Sequence, residues 1–218
     1  HTEQPLGEGK ILLDIVPEPA RRNVNKLDEK DWEGLLMVGN VPEDKWDELI
    51  DSFFDWIDSE TPEDARPFGA ETDYYSQQQP PYKAKNGPLE TIDELLRIKG
   101  FTNTVVYGGV PAGADEDTEP MTGIADLLTT YGDDGRVNVN AASKRILMTL
   151  PDIEDIIADD IIAEREGLTD TGKMDEDNHF KDLNDFFRRF PDIPRAELEK
   201  KISTSSAIYR ITSVGYVQ

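Results

Sequence analysis

The chain has 218 residues and a formal charge of −23, from 46 acidic against 23 basic residues; at roughly 150 residues per domain it is one large domain, or a small one carrying an insertion. Such a charge repels phosphate backbones and anionic lipid, which sets aside nucleic-acid and membrane-surface partners, and it favours hard cations, calcium first among them. With no Cys, disulfides, thiolate metal sites and cysteine nucleophiles are excluded, while 37% hydrophobic and 8% aromatic residues suffice for a packed core.

Residues 1–10 are polar and contain two Gly. The run Lys10–Val16, KILLDIV, closed by Pro17 and Pro19, predicts a strand. The period then changes to 3.6. Trp46, Leu49, Ile50, Phe53, Phe54 and Ile57 recur at helical spacing behind Pro42, which predicts an amphipathic helix. Residues 59–88 contain five Pro and two Gly, a segment long enough to need a function or a bound ion to justify it. A further helix is expected from Thr91 to Gly100, opened by a capping box between Thr91 and Glu94 and burying Ile92, Leu95 and Leu96. Gly108–Thr122, with Asp115, Glu116, Asp117 and Glu119, is a second irregular stretch. More helices are marked by Ile146, Leu147 and Leu150, by Ile153, Ile156, Ile157 and Ile161, and by Leu183, Phe186, Phe187 and Phe190. Ala207–Val217, AIYRITSVGYV, is rich in β-branched and aromatic residues and predicts a closing strand.

One internal echo stands out. RRNVNKL at 21–27 and GRVNVNAAS at 135–143 share Asn-Val-Asn, and each is followed by an apolar helix, a Pro and a second helix. The second Asn of each, Asn25 and Asn140, is expected to cap the coming helix. PLETIDELLRIKG and FKDLNDFFRRFPD likewise share a cap, an apolar pair and a basic last turn. These helix pairs resemble helix-hairpin-helix or SAM-like units, which makes a nucleic-acid-binding module the alternative function. The hairpin after Leu150 is acidic, however, with Asp152, Glu154 and Asp155 where a phosphate would sit.

No phosphate loop, nucleophile elbow or zincin motif occurs, and the two His, His1 and His179, are too few for a histidine metal site. Acid density alone would motivate a carboxylate-dependent hydrolase, with nothing to single out its residues. The densest carboxylate stretch, residues 55–75, can converge oxygens from a helix end and a returning loop, as calcium requires. An EF-hand loop is not present.

The ordered motifs DWIDSE, GAETDYY, PPYKAKNGPLETIDELLRIKGF and VNVNAAS…ILMTLP resemble those of the K-class minor pseudopilins of type II secretion systems, over about 11–187. The resemblance implies an α+β fold, a small pseudopilin-type antiparallel sheet with a large helical, SAM-like or helix-hairpin-helix-like insertion. It divides the chain into a discontinuous sheet domain, 1–26 with 203–218, and an inserted helical domain, 27–202. It also implies that the sequence starts downstream of the family's hydrophobic N-terminal helix. The role implied is non-enzymatic. The subunit caps the pseudopilus tip and helps initiate its assembly, with I-class and J-class minor pseudopilins as partners, anchored in the inner membrane with this portion in the periplasm. Structural Ca2+ is expected on Asp58, Glu60, Glu71 and Asp73, with Asp55 in the outer shell, although Glu60 departs from the Asp more usual there.

Overall fold

The computed structural model describes residues 2–7, 9–59, 65–115, 117–132, 134–168 and 178–216. In chain order its strands are β1 (Thr2–Leu6), β2 (Gly9–Pro17), β3 (Arg22–Asn23), β4 (Leu128–Thr129), β5 (Val137–Asn138), β6 (Ile202–Ser203) and β7 (Tyr209–Tyr216). Its α-helices are α1 (Glu29–Val38), α2 (Trp46–Ile57), α3 (Thr72–Tyr75), α4 (Asn103–Tyr107), α5 (Lys144–Leu147), α6 (Asp155–Arg165), α7 (Leu183–Arg189) and α8 (Arg195–Lys201).

The two predicted terminal strands lie side by side. β2 and β7 pair antiparallel, Lys10 opposite Tyr216 and Pro17 opposite Tyr209. A third strand, β1, completes the sheet in the order β1-β2-β7. Its polar sequence gave no sign of it. It forms because Gly7, at φ 59°, permits a tight turn that sets Leu6 opposite Gly9. Pro5, with no N–H to donate, is tolerated on an edge strand.

Packing divides the chain into two units, residues 1–22 with 131–218, and residues 23–130. The sequence-based boundaries separated sheet from helices, whereas these separate clusters of mutual contact. Unit two has its core in Trp32, Leu35, Leu36, Phe53, Tyr75, Leu95 and Val106; unit one packs Val137, Ile146, Leu147, Ile161, Phe186, Leu198 and Ile202.

The Asn-Val-Asn echo is a structural repeat, but Asn25 and Asn140 are not helix caps. The caps are Asp28, accepting from the Asp31 amide at 2.9 Å, and Ser143, accepting from the Ile146 amide at 3.3 Å. The first Asn of each triplet turns the chain locally. Asn23 Oδ1 accepts from the Asn25 amide at 3.0 Å, and Asn138 Oδ1 from the Asn140 amide at 2.9 Å. This leaves the second carboxamide free to reach across the unit. Asn25 donates to the Leu89 carbonyl at 2.9 Å and accepts from the Leu89 amide at 2.8 Å. Asn140 grips Phe180 the same way, both bonds 2.9 Å, and also donates to the Thr204 carbonyl at 2.9 Å. Each clamp delivers the chain to a helix closed by an acid at its third position. Glu94 Oε1 accepts from the Thr91 amide at 3.0 Å, and Asp185 Oδ2 from the Lys181 amide at 3.1 Å.

Two predicted faces shift. Residues 92–97 wind as a 3-10 helix, so the period is three and Ile98 replaces Leu96 in the core; Leu96 is 38% exposed. On α6, Ile156 is 74% exposed and Ala158 is buried instead.

A clamp and a cap respond differently to mutation. Asn25→Asp retains an acceptor but cannot donate to the Leu89 carbonyl, so it is expected to destabilise by about 1–3 kcal/mol, as Asn25→Ala does. The same holds for Asn140→Asp. Denaturant melts check this, since a capping Asn would tolerate Asp with little change.

Candidate functional site

Two features of the molecule invite a function: the loop that follows α2, and the open sheet. The apolar face of α2 fixes the first. Leu49, Phe53 and Trp56 are buried, which leaves Asp51 and Asp55, one turn apart, to face the returning chain. The Phe68 amide donates to Asp51 Oδ2 at 3.1 Å and the Arg66 amide to Asp55 Oδ1 at 3.2 Å. The Arg66 guanidinium lies 4.4 Å from the centroid of the Phe54 ring and donates to Glu29 at 2.7 Å and Asp51 at 3.4 Å. Beyond it, the Lys99 ammonium donates to the Phe68 and Gly69 carbonyls at 2.9 and 3.3 Å and stands 3.3 Å from Glu48. Trp56 then meets Tyr75 edge to face at 4.9 Å between centroids, and Tyr75 stacks on Tyr82 at 5.3 Å. The predicted irregular segment is therefore pinned along much of its described length by charges and rings.

Asp55 is the odd group here. It is 1% exposed, and its Oδ2 has no hydrogen-bond partner among the described residues. Gly69 passes so close that a Cβ there would stand 1.9 Å from that oxygen, so only glycine fits. Burial pushes the Asp55 carboxyl above the usual Asp range. The Arg66 amide opposes this, the charges of Asp58 and Asp51 add to it, and the Ala70 amide opposes it more weakly.

The four expected calcium ligands are placed as follows. Asp58 is not on the helix face of Asp55. α2 ends at Ile57, and Asp58 is an extended, half-buried residue beyond it. Glu71 is buried at the start of α3, and Asp73 is exposed in its first turn, two residues on and so turned from Glu71. Glu60 lies outside the described residues. Among the described residues no group of three or more His, Asp or Glu side chains is placed to hold a metal ion. His179 is exposed, as expected of a surface residue. Sequence spacing missed the tethering role of Asp51 and the isolation of Asp55, whose i, i+4 spacing on the polar side of an amphipathic helix was the only signal.

The second feature is the sheet in unit one. Every residue of β7 is exposed, and apolar side chains dominate it, with Ile211 64% and Tyr216 57% exposed; Ile15 on β2 is 55% exposed. Ile11, Leu13 and Ile15 stand opposite Gly215, Ser213 and Ile211, so they share one face. The charges are sparse. The last acid of the sequence is Glu199, and Arg210, the only charged residue of β7, is paired with Glu18 at 2.7 Å. Apolar area of this kind marks a contact surface. No helix among the described residues is long and apolar enough to cross a membrane.

Residues 12–108 match the family model of type II secretion system protein K. No curated protein matches the sequence. Among solved structures, a chain of the GspK-GspI-GspJ complex of the enterotoxigenic Escherichia coli type 2 secretion system is similar in fold. Its TM-score is 0.66 at 17% identity, over 99% of this chain and 73% of that one.

The buried, half-bonded Asp55 carboxyl gives a pH prediction. Its pKa is raised on folding, so the folded state holds the proton more tightly than the unfolded chain, and stability falls as pH rises from the ordinary Asp range through the folded value. Thermal melts in chelator are expected to show this decline, and Asp55→Asn, neutral at all pH, is expected to remove it.

Proposed function

We propose that this chain, whose residues 12–108 match the family model of type II secretion system protein K and whose fold is similar to that of a chain of the GspK-GspI-GspJ complex, is a K-class minor pseudopilin that caps the tip of a secretion pseudopilus and helps initiate its assembly. The role is structural and calls on no catalytic residue. The observation that carries it is the β2–β7 ladder: residues far apart in sequence form one small, charge-poor, exposed sheet, and everything from 18 to 208 is inserted between them. A fibre of stacked subunits needs such a sheet for lateral contact. An insertion of that size leaves no room for another subunit to stack beyond it, which makes the subunit terminal. The solved relative stands in a complex with GspI and GspJ; by analogy, I-class and J-class pseudopilins are the partners here. The setting would be the periplasm, with anchoring in the inner membrane through an N-terminal helix.

Calcium fits this role as a structural ion that holds the loop after α2. Asp58, Glu71 and Asp73, with Glu60, are the candidate donors. The supporting observation is Asp55 Oδ2, a buried carboxylate oxygen with no hydrogen-bond partner among the described residues, on which a nearby cation would act favourably. Arg66 and Lys99 already neutralise part of this loop, so the ion would add to an existing tether, and binding the folded state alone would stabilise it.

Co-expression with soluble I-class and J-class pseudopilins is expected to yield a complex on size exclusion. Its absence at micromolar concentration rejects the tip reading. Ile211→Lys together with Ile15→Lys, on the exposed sheet, is expected to weaken assembly without lowering the melting temperature. Calcium added to chelated protein is expected to raise the melting temperature, and Glu71→Gln to reduce that rise. No shift at millimolar calcium rejects the ion but leaves the tip reading standing.

A further inference from the structure

The sheet of unit one has two unlike edges. β1 forms one of them, and it carries devices that keep an edge from pairing further: it is only five residues long and holds Glu3 and Pro5. β7 forms the other. Tyr209–Tyr216 contains no Pro, no Lys and no acid. Its register with β2 runs unbroken from Pro17 opposite Tyr209 to Lys10 opposite Tyr216, with no bulge to bend it away. A long, exposed, apolar edge of this kind is a template for another strand.

The register shows which groups that edge offers. The Glu18 amide donates to the Ile208 carbonyl at 2.9 Å, which continues the β2–β7 ladder by one residue and makes this a hydrogen-bonded pair. Such pairs recur at every second residue, so Arg210, Thr212, Val214 and Tyr216 turn their backbone groups to β2. Tyr209, Ile211, Ser213 and Gly215 turn theirs outward, with no strand beyond them among the described residues.

We infer that β7 pairs antiparallel with β7 of a second copy of this chain about a twofold axis through Thr212, joining two three-stranded sheets into one of six strands. This axis pairs the four outward residues among themselves, Tyr209 with Gly215 and Ile211 with Ser213. An axis one residue to either side carries one of the four past the end of the strand. The side chains suit the same register. Tyr209 covers the gap beside Gly215, while Thr212 meets Thr212 and Ile208 meets Tyr216, pairings that stabilise antiparallel strands. Ile208, Tyr209, Ile211 and Tyr216 are all exposed in the single chain and have apolar area to bury.

Charge allows this contact. The three strands hold two acids, Glu3 and Asp14, and two bases, Lys10 and Arg210, so their sum is zero in a chain of −23. Arg210, 2.7 Å from Glu18, faces Val214 of the second copy and not another charge. The repulsion between copies comes from the rest of the chain, and salt screens it, over about 30 Å at 0.01 M but about 8 Å at 0.15 M. The dimer therefore tightens as salt rises, the reverse of one held by ion pairs. It uses the edge of the sheet and does not rest on the pseudopilus reading.

Sedimentation velocity on the 218-residue chain in chelator is expected to show the mass rising with concentration from 24.5 kDa toward twice that, and more readily at about 0.3 M salt than at about 0.05 M. Ser213→Pro removes one outward amide and leaves every bond to β2, so it is expected to weaken dimerisation at least about tenfold with an unchanged melting temperature. The chain has no Cys, so Thr212→Cys introduces a single thiol. At a non-hydrogen-bonded pair the facing Cα atoms stand about 4.5 Å apart, within reach of a disulfide. Mild oxidation is expected to cross-link Thr212→Cys into a dimer. Val214→Cys, on the same face but about 14 Å along the strands from its counterpart, is expected to stay uncrosslinked. The proposal is overturned by a monomer at every concentration and salt, by a dimer that weakens as salt rises, or by equal cross-linking of the two cysteine variants, which reports random collision or another register. It is also overturned if Ser213→Pro dimerises like the parent; should that variant disturb folding, the two cysteine variants decide. None of these results bears on co-assembly with I-class and J-class pseudopilins.

Discussion

The carboxamides of Asn25 and Asn140 do the work that a pair of strands does in a larger sheet. Each gives a hydrogen bond to a backbone carbonyl and takes one from the amide of the same residue, 64 positions along in one unit and 40 in the other. A helical unit of this size has few backbone groups left over to tie its ends together, because the helices consume their own. One side chain with both a donor and an acceptor closes the unit at the cost of ordering a single residue. Ionised aspartate, an acceptor only, lacks that two-way capacity. The shorter span in unit one and the longer in unit two show where the units differ: the extra chain in unit two is the Pro-rich segment after α2, hung on Asp51 and Asp55 outside the clamp.

That segment shows how so acidic a protein stays folded. Its acids are of two kinds. Some, such as Asp115, Asp117 and Glu119, are exposed. Others replace backbone partners: Asp51 and Asp55 take loop amides, Asp28 and Asp182 cap helices, and Glu94 and Asp185 close cap turns. Hydrogen bonds to the ionised form hold carboxyls below their usual range. At Asp185 the Lys181 amide does so, aided by Arg189. At Glu94 burial pulls upward, and Lys85 with the Glu90 and Thr91 amides outweighs it. Asp55 lacks a full set of such bonds and moves the other way.

The sheet is the complement of that scaffold. Apart from Asp14, β2 and β7 carry no acid, and apolar side chains such as Ile15 and Ile211 face water on a molecule that otherwise presents charge. Dehydrating such a surface costs little, so a contact made there would meet less electrostatic opposition than one made on the acidic faces.

The sequence by itself determined the terminal strands, the span of α2, the acid at the third position of the cap turns and the twofold Asn-Val-Asn device, because each leaves a local mark: alternation, a 3.6 period, a cap spacing or a repeated word. It did not determine β1, whose polar residues become a strand only through the ladder that β2 offers. Nor did it reveal the 3-10 winding of 92–97, which moved Ile98 into the core. The duty of Asn25 and Asn140 was misread as capping for the same reason. A carboxamide's local options are visible in the sequence, but its choice among them is set by a backbone segment dozens of residues away that only the packed tertiary structure brings within bonding distance.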